Sequence, residues 1–448
     1  MSMIAPARLV SYRILLQIAT SDAHSDELLR SAEVDALSTQ DRNLTTTLVL
    51  GTLRWQLALD ARIRLLLARP GAKLSVEVAT ALRMGAYQLG YLERVPPHAV
   101  LHDSVELVKQ GKERGAAGMV NAVLRKFAAQ GQISNSSASI PAGAHPAWMV
   151  ERWVRRYGQE AAEAICQWDQ EPAANTIRLT EPEADLPEID TQPGAFLREA
   201  LRVIRGDVGR SSAFRDGRFR IQDEASQLVA EIAAAAAPHS ERVLDTCAAP
   251  GGKTAILGER LPDAEITAVD VSRKRLDAMR KLMSQSVAKP VRFEVADAAK
   301  LKLEPQWNLI LCDVPCSGTG TMARNPEIRL RVSEEDLGRQ HARQVAILRA
   351  GLAGLAPGGR LVYSTCSLEP EENEQVVDEV LGKDSGVRVV PLEEFLDRLA
   401  ERGVVTTEGR DRLRTAMEGG FLRTVPGVHP CDGFFAAVLE RAPRTTIG

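Results

Sequence analysis

The sequence predicts two folds in one 448-residue chain: an all-helical region over residues 1–130, and an α/β doubly wound sheet over residues 223–448. Three observations carry this expectation. Apolar residues recur at three- and four-residue steps through the first 130 positions, with little strand signal. Beyond position 223, short apolar runs alternate with helical segments, the pattern of a parallel sheet covered on both faces. Between the regions, GQISNSSASIPAG (131–143) is polar and turn-rich, and a linker is placed at 131–144.

At this length two or three domains are expected, and a hydrophobic content of 44% can fill their cores. Aromatic residues make up only 4%, which argues against large stacking surfaces. A net charge of −3 excludes a globally basic nucleic-acid binder, so any such site must be local. Residues 1–140 carry 16 Lys/Arg against 12 Asp/Glu, about +4, which leaves the remainder near −7. Six cysteines (Cys166, Cys247, Cys312, Cys316, Cys366 and Cys431) are too sparse for a disulfide scaffold. No CxxC pair and no histidine at ligand spacing accompanies them, so no metal site is expected.

The opening stretch, MSMIAPARLVSYRILLQIATSDAHS, is interrupted by Arg8 and Arg13 and reads as an amphipathic helix rather than a signal peptide. No apolar run approaches the roughly 20 residues of a membrane span, so a cytoplasmic location without a membrane partner is expected. ATALRMGAYQLGYLERV and LHDSVELVKQGKERGAAGMVNAVLRKFAAQ continue the helical spacing on either side of Pro96-Pro97. A helical stretch from His145 leads into a mixed subdomain over 145–222. Buried strands follow at ERVLDT (241–246), AEITAVD (264–270), VRFEVAD (291–297), WNLILCD (307–313) and GRLVYST (359–365). GFFAAVLER (433–441) reads as a late edge strand.

Chemistry is concentrated at the strand ends, where ligands bind in such sheets. DTCAAPGGKT (245–254) follows a strand and opens a helix. Gly251 and Gly252 let the backbone approach a ligand, and the new helix offers unpaired N–H groups. A P-loop is the rival, but its first glycine falls on Cys247. Asp270 ends the next strand, where a carboxylate can accept from both ribose hydroxyls of a nucleoside cofactor, and Asp297 ends the one after, near the base. DVPCSGTGTMARNPEIRLR places Asp313, Pro315 and Cys316 at the lip of the fourth strand; LVYSTCSLEPEENE places Cys366 at the lip of the fifth, before an acidic segment suited to opening a helix. If those strands are neighbours, the two thiols face one pocket. A lone buried cysteine is usually inert packing; two lip thiols beside an acid and a nucleoside site are not, although the residues alone do not say which thiol attacks.

DTCAAPGGKT, DVPCSGTG and YSTCSLEPEENE resemble the RNA 5-methylcytosine methyltransferases that use S-adenosylmethionine, over about 145–441. IQDEASQLVAEI (221–232) and HPCDGFFAAVLER resemble further segments of that family. DRNLTTTLVLGTLR (41–54), LRMGAYQL and VNAVLR (120–125) resemble the all-helical RNA-binding fold of the antitermination factor NusB. That pairing is the arrangement of the bacterial RsmB (Sun/Fmu) enzymes. The resemblance implies a NusB-like domain over 1–130, a pre-catalytic subdomain over 145–222 and a Rossmann-like methyltransferase domain over 223–448. The implied substrate is 16S ribosomal RNA or a small-subunit assembly intermediate, acted on by a monomer.

By the same resemblance Cys366 is the nucleophile, Asp313 the partner of the cytosine ring nitrogen, and Cys316 the group that assists release. Cys247, Ala248, Ala249, Pro250, Gly251, Gly252 and Lys253, with Asp270, Asp297 and Asp313, would hold S-adenosylmethionine. Lys253 has two candidate partners, the cofactor carboxylate and the substrate. Arg324 and Arg329 are expected on the RNA, as is the basic stretch Arg202, Arg205, Arg210, Arg215, Arg218 and Arg220. Two departures stand out. Thr180 takes the place of an asparagine in NTIRLT (175–180), and residues 396–419 have no recognised counterpart and read as a variable loop. The rival functions are a nucleotide triphosphatase using GGKT and LILCD, and a non-catalytic RNA-binding assembly factor.

Overall fold

The computed structural model describes residues 4–131, 143–181, 184–286, 290–382, 384 and 386–443; the linker expected at 131–144 lies almost wholly outside them. The chain divides into two compact units, Met1–Pro172 with Met322–Arg331, and Ala173–Thr321 with Val332–Gly448.

The first unit contains helices Pro6–Thr20, Thr39–Arg54, Gln56–Leu66, Val76–Tyr91, Pro97–Gln110 and Ala117–Ala128. Pro6 and Pro97 stand in the first turn, where a missing N–H costs no hydrogen bond. Ser38 and Ser75 cap two helices by accepting from the N–H groups of Asp41 and Val78. Leu15, Leu48, Leu53, Leu82, Leu124 and Phe127 share one core. Arg8 is buried in it, and its charge is neutralised locally: Nε donates to Gln88 Oε1 at 2.7 Å and a terminal nitrogen donates to Asp103 Oδ2 at 2.8 Å.

Helices Ala147–Tyr157 and Gln159–Trp168, expected to open the second region, group with this first unit, as does Met322–Arg331. Here the structure corrects the reading of Arg329. Arg329 is 2% exposed and donates to the carbonyls of Arg54, Ala144 and Asp169 at 3.1, 3.3 and 3.3 Å. Burial pushes it down to about 10, which leaves it cationic at neutral pH. Its planar fork of donors joins three segments instead of meeting a phosphate. Arg331 donates to the carbonyls of Ile18, Ser21 and Ala23, at and just beyond the end of the first helix, where a cation favours the unpaired carbonyls.

The second unit begins with a small antiparallel sheet of β1 (Thr176–Leu179), β2 (Asp190–Pro193), β3 (Ala200–Arg205) and β4 (Phe219–Ile221), in the order β2-β3-β1-β4. Arg220, expected on the RNA, is 6% exposed and pairs with Glu259 at 2.5 Å. Arg202, Arg205 and Arg215 are exposed.

The main sheet follows: β5 (Arg242–Asp245), β6 (Glu265–Asp270), β7 (Arg292–Val295), β8 (Trp307–Asp313), β9 (Leu355–Thr365), β10 (Val387–Val390), β11 (Met417–Glu418), β12 (Phe421–Thr424) and β13 (Phe434–Arg441). Its order is β11-β12-β13-β9-β8-β5-β6-β7, with β10 also pairing β13. Strands β5 to β9 run parallel, whereas β13 runs antiparallel to β9. Successive side chains of β8 serve opposite layers. Leu309 and Leu311 pack with Leu228, Ile232 and Leu257, while Ile310 and Cys312 pack with Leu348, Leu352 and Val376.

Two expectations fail here. The late strand β13 is internal, flanked by β9, β10 and β12, because Phe434 to Leu439 are apolar enough to be buried on both faces. Residues 396–419 are no variable loop. Helices Glu393–Glu401 and Thr407–Arg414 bury Phe395, Leu396, Leu399 and Leu413 against Phe196, Leu197 and the main core. Among the described residues, no helix is long and apolar enough to cross a membrane.

Candidate active site

Because β5 to β9 are parallel, their C-terminal ends share one edge, and the loops that leave them build the site. The loop after β5 is pinned to β6: Ala248 N–H donates to Val269 O at 2.8 Å and Ala249 N–H to Asp270 Oδ2 at 3.3 Å. Gly251 turns the chain at φ 109°, and a Cβ there would meet Met279 Cγ at 2.7 Å. The helix Gly252–Arg260 then begins, with the unpaired N–H groups of its first turn at the same edge. Burial pushes the Cys247 thiol well above its usual range.

Beneath the loop, Asp245 is 1% exposed and accepts from Thr254 Oγ1 at 2.6 Å. Burial pushes this carboxyl up to about 7, with the Thr254 bond opposing. A folded-state value above the unfolded one means that the stabilisation is complete below about 4 and lost as pH rises through about 7. Asp245→Asn is therefore expected to raise Tm at pH 8 and to lower it or leave it unchanged at pH 5. Thermal unfolding at the two pH values checks this; equal shifts at both would refute it.

Asp270 and Asp297 are both partly engaged. Asp270 is buried and also accepts from Ser272 N–H at 2.8 Å. Asp297 is half-buried and caps the turn Ala298–Lys300 through Ala299 N–H at 3.1 Å. Asp313, at the end of β8, is held from two sides: Lys253 Nζ donates at 2.7 Å and Ser364 Oγ at 2.8 Å. Lys253 also lies over the Phe434 ring, 5.1 Å from its centroid. The lysine that a P-loop would give to a phosphate is thus spent on a carboxylate of the neighbouring strand.

Adjacent strands β8 and β9 bring the two lip thiols together, with Cys316 Sγ 3.3 Å from Cys366 Sγ. Both residues are half-buried. The hydrogen bond with Cys366, and burial second, push the Cys316 thiol well above its usual range, so Cys316 holds its proton at neutral pH. The loop carrying Cys316 closes tightly: Gly320 N–H donates to Cys366 O at 2.9 Å, and Gly433 N–H donates to Gly320 O at 2.8 Å. A Cβ on Gly320 would lie 2.3 Å from Gly433 O, so only glycine permits this backbone approach. Arg324 is half-buried and belongs to the first unit.

Sequence reasoning missed Ser364, Phe434 and the inward-facing Glu372, Asn373 and Gln344. The acidic segment after Cys366 opens a helix as expected, through the 3-10 turn Pro370–Glu372 and the helix Glu374–Leu381, but Glu369 and Glu372 are 1% and 0% exposed. Nothing in the spacing distinguishes such an inward carboxylate from one favouring a helix N-terminus.

The doubly wound sheet carries a Gly-Gly loop, the carboxylates of Asp270 and Asp297 and a thiol pair at its strand ends, and its similarity to known proteins puts the chain in the class of S-adenosylmethionine-dependent methyltransferases. Residues 233–440 match the family described as 16S rRNA methyltransferase RsmB/F, residues 5–129 the NusB family, and residues 145–186 the ferredoxin-like domain of RsmF/B-like methyltransferases. The probable ribosomal RNA small subunit methyltransferase B of Bacillus subtilis is 31% identical, spanning 96% of this chain and 98% of its own. The ribosomal RNA small subunit methyltransferase B of Pseudomonas putida is 32% identical, over 96% and 98%. A methyltransferase homologue from Pyrococcus horikoshii matches with a TM-score of 0.51 at 27% identity, covering 66% of this chain and 94% of that one. The chain belongs to the RsmB/F family of rRNA methyltransferases.

Proposed function

We propose that this protein methylates carbon 5 of a cytosine in 16S rRNA, free or within a small-subunit assembly intermediate, through a covalent cysteine–cytosine adduct. The observation that carries this reading is the 3.3 Å thiol pair beside Asp313. Carbon 5 of cytosine is too weak a nucleophile to take a methyl group unaided. Addition of the Cys366 thiolate to carbon 6 makes the ring an enamine with a nucleophilic carbon 5. Asp313, positioned by Lys253 and Ser364, meets ring nitrogen 3 in its protonated form and donates that proton where electron density accumulates.

The backbone from Cys247 to Lys253, with Asp270 and Asp297, would hold S-adenosylmethionine, which supplies an electrophilic methyl group. The free N–H groups of the helix start, the close approach at Gly251 and the carboxylates at successive strand ends fit that group. Once Cys366 is bound to carbon 6, the hydrogen bond that raised Cys316 is gone. Cys316 then gives up its proton to solvent, takes the proton from carbon 5 as a thiolate, and the carbon 6–sulfur bond breaks to restore the ring and the Cys366 thiolate. Arg324 and the exposed Arg202, Arg205 and Arg215 are the candidate phosphate contacts. The target base must be unpaired or turned out of a stack to reach the thiol.

Cys316→Ala mixed with unmethylated 16S rRNA and S-adenosylmethionine is expected to leave a slow-migrating, denaturant-resistant protein–RNA adduct on a gel. The adduct should vanish in the Cys316→Ala/Cys366→Ala double variant. Survival of the adduct without Cys366 would assign the wrong nucleophile. RNA binding with no adduct in any variant and no methylation by the wild type would favour a non-catalytic assembly factor.

A further inference from the structure

Resting on the reading of Cys366 and Cys316 as the reacting pair, we infer that Glu372 is the positioning residue that holds their two loops in register. Each thiol is followed in sequence by a serine, Ser317 and Ser367. Glu372 is wholly buried and takes hydrogen bonds from both: Ser317 N–H donates to Oε1 at 2.8 Å, and the hydroxyls of Ser317 and Ser367 both donate to Oε2. Gln344 Nε2 donates to Oε1 at 3.0 Å and to Pro315 O at 3.0 Å, fixing the carboxylate and the residue before Cys316 at once. The two serine hydroxyls are 3.1 Å apart. The carboxylate therefore closes a bridge between residues adjacent to both thiols, and four donors satisfy its two oxygens.

The bridge extends through the Glu372 backbone, whose carbonyl accepts from the buried Tyr363 hydroxyl at 2.6 Å. Asn373 grips the other side of the Cys366 turn, accepting from Thr365 Oγ1 at 2.5 Å and donating to Ser367 O at 2.9 Å. The negative charge of Glu372 also contributes to the raised Cys316 thiol. The tips of two loops leaving neighbouring strands share no covalent bond; besides the Gly320–Cys366 backbone hydrogen bond, the shared carboxylate links them next to both thiols.

Glutamine separates the bridge from the charge. With its carbonyl at the Oε1 position it accepts from Ser317 N–H and Gln344, and its amide donates to two hydroxyls that rotate to accept. The test uses the full-length wild type, Glu372→Gln, Glu372→Ala and Ser317→Ala. One readout needs no RNA: hydrogen peroxide takes two electrons from the thiol pair, the S–S bond forms as the O–O bond breaks, and the thiol protons leave in two waters. Peptide mass spectrometry follows the Cys316–Cys366 disulfide. The other readouts are single-turnover methylation of unmethylated 16S rRNA and S-adenosylmethionine affinity.

Glu372→Ala is expected to slow disulfide formation about tenfold and methyl transfer about a hundredfold, the scale of an ångström-level misplacement, while cofactor affinity stays within about threefold. The loss should fall on kcat rather than KM. Glu372→Gln is expected to restore the disulfide rate to within about threefold of wild type. A wild-type disulfide rate in Glu372→Ala overturns the inference. If that variant does not fold, Ser317→Ala removes one arm of the bridge, and an unchanged disulfide rate there overturns it equally. Slowed disulfide formation in Glu372→Ala, in a protein whose Cys316→Ala variant traps no cytosine adduct and whose wild type transfers no methyl group, would instead leave the positioning role standing and defeat the proposed chemistry.

Discussion

Cys366→Ala is expected to reduce single-turnover methyl transfer by about ten-thousand-fold or more, with S-adenosylmethionine affinity and Tm little changed. The reason is chemical. Without the sulfur no group adds to carbon 6, and carbon 5 remains part of a stable aromatic ring. The Cys366 side chain is half-buried, so loss of one sulfur atom opens a space that the neighbouring loops can close. Cys366→Ser retains the shape but places a hydroxyl, ionised far less readily than a thiol, at the same point, and should be nearly as inactive. The measurement is methyl incorporation into unmethylated 16S rRNA under enzyme excess. Activity within tenfold of wild type would remove Cys366 from the chemistry.

Arg178→Ala is expected to destabilise the second unit by about 3–5 kcal/mol, the range for removing one partner from a buried ion pair. Arg178 lies on β1, only 1% exposed, and one terminal nitrogen stands 2.7 Å from Glu199, 2.8 Å from Glu231 and 3.3 Å from Glu259. Glu231 belongs to the helix Glu224–Ala236 and Glu259 to the helix Gly252–Arg260, so the small sheet is tied to the first helices of the main sheet by charge. Arg260 and Arg220 hold the same acids from other sides. Removing Arg178 strips a cation from the buried Glu231, whose compensation then rests on Arg260. Arg178→Lys should recover only part, because an ammonium lacks the second donor, Nε, that also reaches Glu259 at 3.3 Å. Urea unfolding followed by a probe in the second unit checks both variants; a loss below about 1 kcal/mol, the scale of an exposed pair, would refute the role.

The parts of the site legible in the sequence are those where chemistry requires a residue type at a strand end. Gly251 and Gly252 before a helix, Asp270 one strand later, and a thiol at the lips of β8 and β9 are local patterns. Each needs only the alternation of strand and helix to be placed. The supporting residues gave no such signal. Ser364 is a common residue inside a strand. Glu372 lies in an acidic run that reads as helix-opening, and only the fold turns its side chain inward. Arg329 shows the converse. Its basic neighbours and its place just past the Cys316 loop read as an RNA contact, yet it belongs to the helical unit and is consumed by three carbonyls.

Periodicity and composition were enough to divide the chain into a helical region and a parallel sheet, because amphipathic spacing and continuous apolar runs follow from which faces are buried. They were enough also to put both cysteines at one edge, since parallel strands end on the same side. Tertiary packing alone decided the rest: that β13 lies inside the sheet, that residues 396–419 form core helices, that Arg220 is sealed in a charge network, and that the thiols meet at 3.3 Å. The division has one cause. Burial pattern is written along the chain at intervals of two to four residues, whereas the direction in which a charged side chain points depends on partners far away in sequence, and no local pattern records which partner it will find.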